Sequence, residues 1–80
     1  MMYPEELRAI IAAGLACEHL EVSGDGHHFE ALIVSAAFSG KSRVQRQQQV
    51  NALLRGYFDS GELHALSMKT QTPEEWSVRG

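Results

Sequence analysis

The feature that most constrains the fold of this 80-residue chain is a strand-like alternation that runs directly into a helix start. From Gly61 to Trp76 the sequence reads GELHALSMKTQTPEEW. Thr72 suits the cap of a helix, Pro73 suits its first position, and Glu75 completes a capping box three residues after the cap. The alternation before this start predicts a strand with two faces, one formed by Leu63, Ala65 and Ser67 and the other by His64, Leu66 and Met68.

Two helices and a hairpin are predicted before this stretch. Apolar residues at helical spacing predict a helix from Pro4 to Ala13. The glycine-rich turn Ser23–Gly26 joins two alternating segments into an antiparallel hairpin, whose second strand is apolar on both faces and is expected to be central. Ser42, with Gln45 three residues later, predicts a capped helix from Ser42 to Ser60. The buried face of this long helix is predicted to contain Val44, Val50, Leu53, Leu54, Tyr57 and Phe58.

The order of elements is therefore helix, strand, strand, helix, strand, helix. This order predicts an α+β fold, in which a three-stranded sheet carries helices on one face and leaves the other face largely open. Residues 1–80 are expected to form a single small domain. A domain of this size buries only about 60% of its unfolded surface, so a deep, closed pocket is not expected.

Composition limits the classes of function. The net charge is −3, which gives no overall attraction to nucleic acid. No apolar run approaches the roughly 20 residues of a membrane span, so no membrane association is expected. The acidic N-terminal segment lacks the pattern of a signal peptide, and the single cysteine, Cys17, cannot form an internal disulfide. We therefore expect a cytoplasmic protein. We also expect it to be a monomer alone or a weak homodimer.

Two local patterns were considered as possible catalytic or binding sites. The run Ser39–Ser42 resembles the end of a phosphate-binding loop, but the glycine required five residues before Gly40 is Ser35. No serine has a plausible base partner, and the carboxylates are scattered, so the chain is interpreted as a non-enzyme. The basic cluster of Lys41, Arg43 and Arg46 at the start of the long helix remains a candidate for binding an anion or a nucleic-acid backbone.

Several motifs together resemble the BolA family. These are FSGKSRVQR at Phe38–Arg46, the stretch Leu63–Trp76, and GDGHHF at Gly24–Phe29, of which the last, with Gln47 and Gln48, is similar to the IbaG-like branch. The resemblance covers nearly the whole chain. It implies a fold similar to a class II KH domain, which agrees with the element order predicted above.

The resemblance also implies a function. BolA-like proteins pair with monothiol glutaredoxins and help bind or transfer a shared [2Fe-2S] cluster, in roles connected with iron homeostasis and the stress response. The glutaredoxin contributes a cysteine and a bound glutathione, so no cofactor is expected in the isolated protein. The family's C-terminal ligand histidine corresponds to His64, and a second ligand would come from His27 or His28 in the hairpin turn.

The residues themselves leave the choice of second ligand open. Adjacent side chains in a strand point to opposite faces, so His27 and His28 cannot readily bind one metal together. His28 is slightly preferred because it directly precedes Phe29. His64 is expected to point away from the core, because Leu63 and Ala65 are assigned to the core-facing side of its strand.

Two other functions remain open as alternatives to the first. One is a KH-like, nucleic-acid-binding transcriptional regulator that uses Lys41, Arg43 and Arg46. Many BolA proteins have Arg-His-Arg where this chain has Arg46-Gln47-Gln48, which weakens the case for this role. Any binding is expected to be weak, with few phosphate contacts. The other is a glutaredoxin partner that modulates the glutaredoxin without binding metal.

Overall fold

The chain forms helices and strands in the predicted order. The computed structural model describes residues 1–78. Its elements are α1 (Pro4–Gly14), β1 (His19–Gly24), β2 (His28–Val34), a short 3₁₀ helix (Ala36–Phe38), α2 (Arg43–Ser60), β3 (Ala65–Gln71) and α3 (Pro73–Ser77). The three strands form one sheet in the order β1-β2-β3. The predicted α+β fold is therefore confirmed.

The central position of β2 determines the topology. β2 pairs with β1 in antiparallel register through a tight turn at residues 25–27, as the hairpin prediction required. On its other side β2 pairs with β3 in parallel, His28 opposite Ala65 and Val34 opposite Gln71. A parallel pair needs a long crossover, and α2 provides it.

The core lies between the sheet and the two longer helices. Alternate residues of β2, namely Phe29, Ala31 and Ile33, are buried and face α1 and α2. Phe38 anchors the 3₁₀ helix to the same core and is fully buried. The remaining buried residues of this cluster are Met2, Leu7, Ile11, Leu15, Leu20, Val50, Leu54 and Leu63.

The helix boundaries follow the predicted caps. At the start of α2, the Ser42 hydroxyl accepts the Gln45 N–H (3.2 Å), and the Gln45 side chain accepts the Ser42 N–H (2.9 Å). Thr72 and Glu75 make the same reciprocal pair at the start of α3. These bonds use N–H groups that a helix start leaves without internal partners, so they fix where each helix begins.

The opposite face of the sheet is only partly covered. His19 lies on this face, because its neighbour Leu20 belongs to the core. The Trp76 ring of α3 stacks on the His19 ring with centroids 4.6 Å apart. Val34, which pairs with His19 in the ladder, is fully buried there but lies outside the main core cluster. α3 thus covers one end of the face that α1 and α2 leave open, so the expectation of helices on one face holds for the two longer helices and not for α3.

Two details of the sequence interpretation were wrong. In β3, Leu66 and Met68 pack against the core, whereas Ser67 is exposed. The predicted faces were reversed because Leu63, although buried, precedes the strand and does not share its alternation. Val44, predicted to be buried, is 60% exposed, because the face of α2 that packs on the sheet begins only one to two turns later, at Val50.

Candidate metal site

His64 lies in the segment that connects α2 to β3, directly before the first residue of the strand. Its side chain is exposed, as the sequence predicted. The preceding Leu63 is 1% exposed, and its N–H donates to the Tyr57 carbonyl (3.0 Å). The following Ala65 pairs with His28. His64 is therefore an exposed side chain on a backbone that is held on both sides.

Asp25 organises the hairpin turn that carries the other two histidines. Its carboxylate Oδ1 accepts the N–H groups of His27 (2.9 Å) and His28 (2.8 Å). These two backbone hydrogen bonds lower the pKa of the Asp25 carboxyl. The sequence interpretation attributed this turn to its glycines. An aspartate followed by a short turn is itself a recognisable signal, because its side chain can bond the backbone two residues on.

The fold brings His27 and His64 together. Their ring centroids are 5.9 Å apart, with an angle of 30° between the ring planes. The parallel register explains this arrangement, because His28 and Ala65 are partners and each histidine directly precedes one of them. The two imidazoles come from residues 37 positions apart and form an exposed pair at one end of the β2–β3 ladder.

His28 takes a different direction. Its Nε2 lies 3.2 Å from the hydroxyl of Ser67, on the open face of the sheet. The adjacent histidines diverge, as expected, and the structure places the His27 ring, not the His28 ring, beside His64. Which of the two is a second ligand stays a prediction. His28 was preferred for its place beside Phe29. Its side chain follows the alternation of β2, which turns it away from His64.

The donor set is incomplete for a metal centre of this chain alone. Within residues 1–78, no group of three or more histidine, cysteine, aspartate or glutamate side chains is arranged to hold a metal ion. Four protein ligands usually hold a [2Fe-2S] cluster, and two histidines can replace two cysteines on one iron. His27 and His64 could supply that half of a ligand set, and a second molecule would have to supply the rest.

Cys17 does not add to this donor set. It is half-buried before β1, and its thiol donates to the Leu15 carbonyl (3.3 Å). Burial raises the pKa of the Cys17 thiol, against a smaller opposite effect of Arg8. A thiol whose pKa is raised is a poor source of the thiolate that binds metals, and Cys17 instead packs against the core.

The predicted basic cluster at the start of α2 is divided in the structure. Arg46 was a candidate for binding an anion from outside, but its side chain is only 11% exposed and forms a two-pronged ion pair with Glu75 (2.7 and 3.2 Å). The Lys41 ammonium donates to the Gln49 side chain (2.7 Å). The Arg43 side chain is exposed and makes no hydrogen bond or ion pair within the described part of the chain. The sequence could not show the pairing of Arg46, because Glu75 lies 29 residues away.

The Arg46–Glu75 pair should make stability depend on pH in the acidic range. Hydrogen bonds from the Arg46 guanidinium and the Thr72 N–H lower the pKa of Glu75 from 4.5 to about 2. A carboxyl whose pKa is lowered by folding stabilises the fold above its unfolded pKa, and this contribution disappears as the pH falls through the folded value. We expect Glu75→Gln to be less stable at pH 7 and to lose less stability between pH 5 and pH 2.

Urea denaturation at several pH values, followed by circular dichroism, measures this effect. Glu74→Gln is the matched control, because its exposed side chain carries the same charge on the same helix without an ion pair within residues 1–78. Identical pH dependence of the Glu75→Gln and Glu74→Gln variants would contradict the prediction.

The fold and the site together define a class of protein, namely a small α+β domain that presents two exposed histidines at one end of a mixed sheet. The profile of the BolA family, described as BolA-like protein, matches residues 4–75. The acid stress protein IbaG of Escherichia coli K12 is 38% identical over 76 residues, which cover 95% of this chain and 90% of that protein.

Solved structures agree with the family match. A bol-like protein from Babesia bovis superposes with a TM-score of 0.85 at 30% identity, covering 99% of this chain and 94% of that one. A BolA homologue from Coxiella burnetii gives a TM-score of 0.80 at 35% identity, with coverages of 96% and 99%. The chain belongs to the BolA family and is IbaG-like. None of the helices within residues 1–78 has the length and apolarity needed to cross a bilayer.

Proposed function

We propose that this chain is a BolA-like accessory protein that binds a monothiol glutaredoxin and, with it, holds or passes on a shared [2Fe-2S] cluster. The observation that carries the proposal is the exposed pair of His27 and His64, whose ring centroids are 5.9 Å apart. In this role the chain acts as a ligand donor and docking partner and not as an enzyme.

The chemistry of the pair supports a shared site. Neutral imidazole is a competent iron ligand, and two imidazoles on one iron raise the reduction potential of a cluster relative to four thiolates. The cysteine of the glutaredoxin and its bound glutathione would complete the set. Because both histidines are exposed, a partner can approach them without any rearrangement of the core. Imidazole must be neutral to bind metal, so acid should weaken the site.

A mixing experiment tests the proposal. A monothiol glutaredoxin loaded with its cluster is mixed anaerobically with this protein, and the visible circular dichroism spectrum is recorded during titration. We expect the spectrum of the glutaredoxin homodimer to change to a new one that saturates at one molecule of this protein per glutaredoxin. Gel filtration detects the heterodimer independently of the spectrum. A heterodimer with an unchanged cluster spectrum would favour the alternative in which this protein modulates the glutaredoxin without binding metal. The absence of both a heterodimer and a new spectrum would refute the proposal.

Cytoplasmic location and a monomeric or weakly dimeric free state belong to the same proposal. A monothiol glutaredoxin and a thiolate-bound cluster both need a reducing compartment, and Cys17 is free in the structure. The stress-response role is supported by the name of the IbaG relative, an acid stress protein.

The nucleic-acid alternative receives little support from the geometry. Lys41 and Arg46 already have partners within the chain, which leaves Arg43 as the unpaired member of the predicted cluster in the described structure. We predict weak binding whose affinity falls with added salt, with a log–log slope of about −2 for two phosphate contacts. Fluorescence anisotropy with a labelled oligonucleotide measures this slope. Tight, sequence-specific binding that survives Lys41→Ala combined with Arg43→Ala would reverse the order of the two functions.

A further inference from the structure

The outer edge of β3 is unpaired. Within residues 1–78, β3 pairs with β2 on one side and with no strand on the other. The Gln71 carbonyl accepts the Ser35 N–H (3.0 Å), so the backbone groups of Gln71 point toward β2. The Thr70 carbonyl instead accepts Nη1 of Arg46 (3.2 Å) on the opposite side. Odd-numbered residues of β3 therefore bond to β2, and even-numbered residues point outward.

This alternation leaves a row of free backbone groups. The N–H groups of Leu66, Met68 and Thr70 point away from the sheet, as do the carbonyls of Leu66 and Met68. No turn, loop or side-chain hydrogen bond within the described residues takes up any of them. Such outward-pointing groups repeat about every 6.6 Å along a strand. A further strand presents its own backbone N–H and carbonyl groups at the same spacing.

The surroundings of this edge are positively charged at one end. An open cleft of about 600 Å³ runs along β3 from Met68 to Gln71 and reaches the start of α2. Arg43 and Lys69 line it, and neither forms an ion pair within residues 1–78. The other two charged groups in the cleft, Arg46 and Glu75, neutralise each other. Two unpaired cations beside free backbone groups suit an extended segment that carries carboxylates.

We propose that the outer edge of β3 binds an extended, acidic segment of a partner protein as a fourth strand. Strand addition supplies affinity through main-chain hydrogen bonds, and the flanking cations select acidic side chains. The proposal does not depend on metal binding by His27 and His64. The edge nevertheless begins one residue after His64, so a partner bound there would also lie beside the histidine pair.

A peptide fits this edge better than the two other possible occupants do. The phosphate backbone of a nucleic acid only accepts hydrogen bonds, so it cannot match the carbonyls of Leu66 and Met68 as the N–H groups of an extended peptide do. A second copy of this chain, paired through the same edge, would bring Arg43 and Lys69 of both molecules into one interface. Like charges at an edge are a device that natural proteins use to prevent such self-pairing.

Amide NMR spectra of the ¹⁵N-labelled full chain test the proposal. The probe is a blocked octapeptide of alternating threonine and valine that ends in aspartate and glutamate. We expect the amides of Leu66, Met68 and Thr70 to shift and to become protected from hydrogen exchange. The interleaved amides of Ser67 and Lys69 serve as internal controls, because the parallel register directs them to β2. Arg43→Gln and Lys69→Gln should each weaken binding about two- to fivefold, the range for single exposed ion pairs.

Two variant peptides and a thymidine dodecamer separate the alternatives. The same peptide with both acidic residues replaced by lysine should bind more weakly, and a version N-methylated at alternate residues should not bind. The proposal is overturned if millimolar acidic peptide leaves the three amides unchanged, or if the N-methylated peptide binds equally well. It is also overturned if a thymidine dodecamer binds this edge more tightly than the peptide, or if the same amides shift with protein concentration alone.

Discussion

Replacing His64 with alanine should abolish or reshape the cluster that we propose this protein shares with a monothiol glutaredoxin, and it should leave the fold intact. His64 is exposed, so its removal creates no cavity. Its loss would leave one iron short of a ligand. Because even the hydrogen-bond partners of metal ligands change affinity about 10- to 100-fold when mutated, the lifetime of the mixed cluster should shorten by at least about tenfold. Visible circular dichroism after anaerobic mixing measures that lifetime.

The three histidines of the site provide a matched series. His27→Ala should act in the same direction as His64→Ala, because the two rings face each other. His28→Ala removes the same type of side chain one position along the chain, but its ring is directed to Ser67. We therefore expect His28→Ala to have the smallest effect on the cluster.

Stability controls complete this test. Each substitution should change the free energy of unfolding by no more than about 0.5 kcal/mol, as is usual for surface residues. An unchanged cluster spectrum and lifetime in His64→Ala at unchanged stability would show that His64 is not a ligand. Unfolding of the variant would show that this histidine has a structural role. A larger loss in His28→Ala than in His27→Ala would show that the complex uses the hairpin turn in a different conformation.

Sequence reasoning was accurate where short-range signals decide the structure. The starts of α2 and α3 were predicted because Ser42 and Thr72 each have their capping partner three residues away. The central position of β2 followed from apolar residues on both of its faces. In each case the physical cause lies within a few neighbouring residues, so a single sequence contains it.

The geometry of the candidate site depended on contacts that no short stretch contains. The pairing of His27 with His64 follows from the parallel register of β2 and β3, which α2 and the packing of Leu63 set from a distance. A shift of one residue in that register would place different side chains side by side. The ion pair of Arg46 with Glu75 is similarly a tertiary contact, and it changes the interpretation of the basic cluster.

Phe29 connects the histidine turn to the core. We expect Phe29→Ala to be the most destabilising of the substitutions considered. Phe29 is fully buried in the central strand, directly after the histidine turn. Its ring lies against Gly24 on the neighbouring strand, where an added Cβ would come within 2.6 Å of the Phe29 Cδ1 atom. The ring therefore fills core space beside β1.

Phe29→Ala should lower the free energy of unfolding by about 3–5 kcal/mol, the range for emptying a buried aromatic site. An 80-residue domain has a total stability of only about 4–12 kcal/mol, so the variant should be largely unfolded or melt well below the wild type. Urea denaturation followed by far-UV circular dichroism measures the change. Phe29→Leu, which keeps most of the buried volume, should lose much less. A loss below about 1 kcal/mol for Phe29→Ala would mean that the neighbouring side chains close the cavity, and hence that the histidine turn does not depend on this ring.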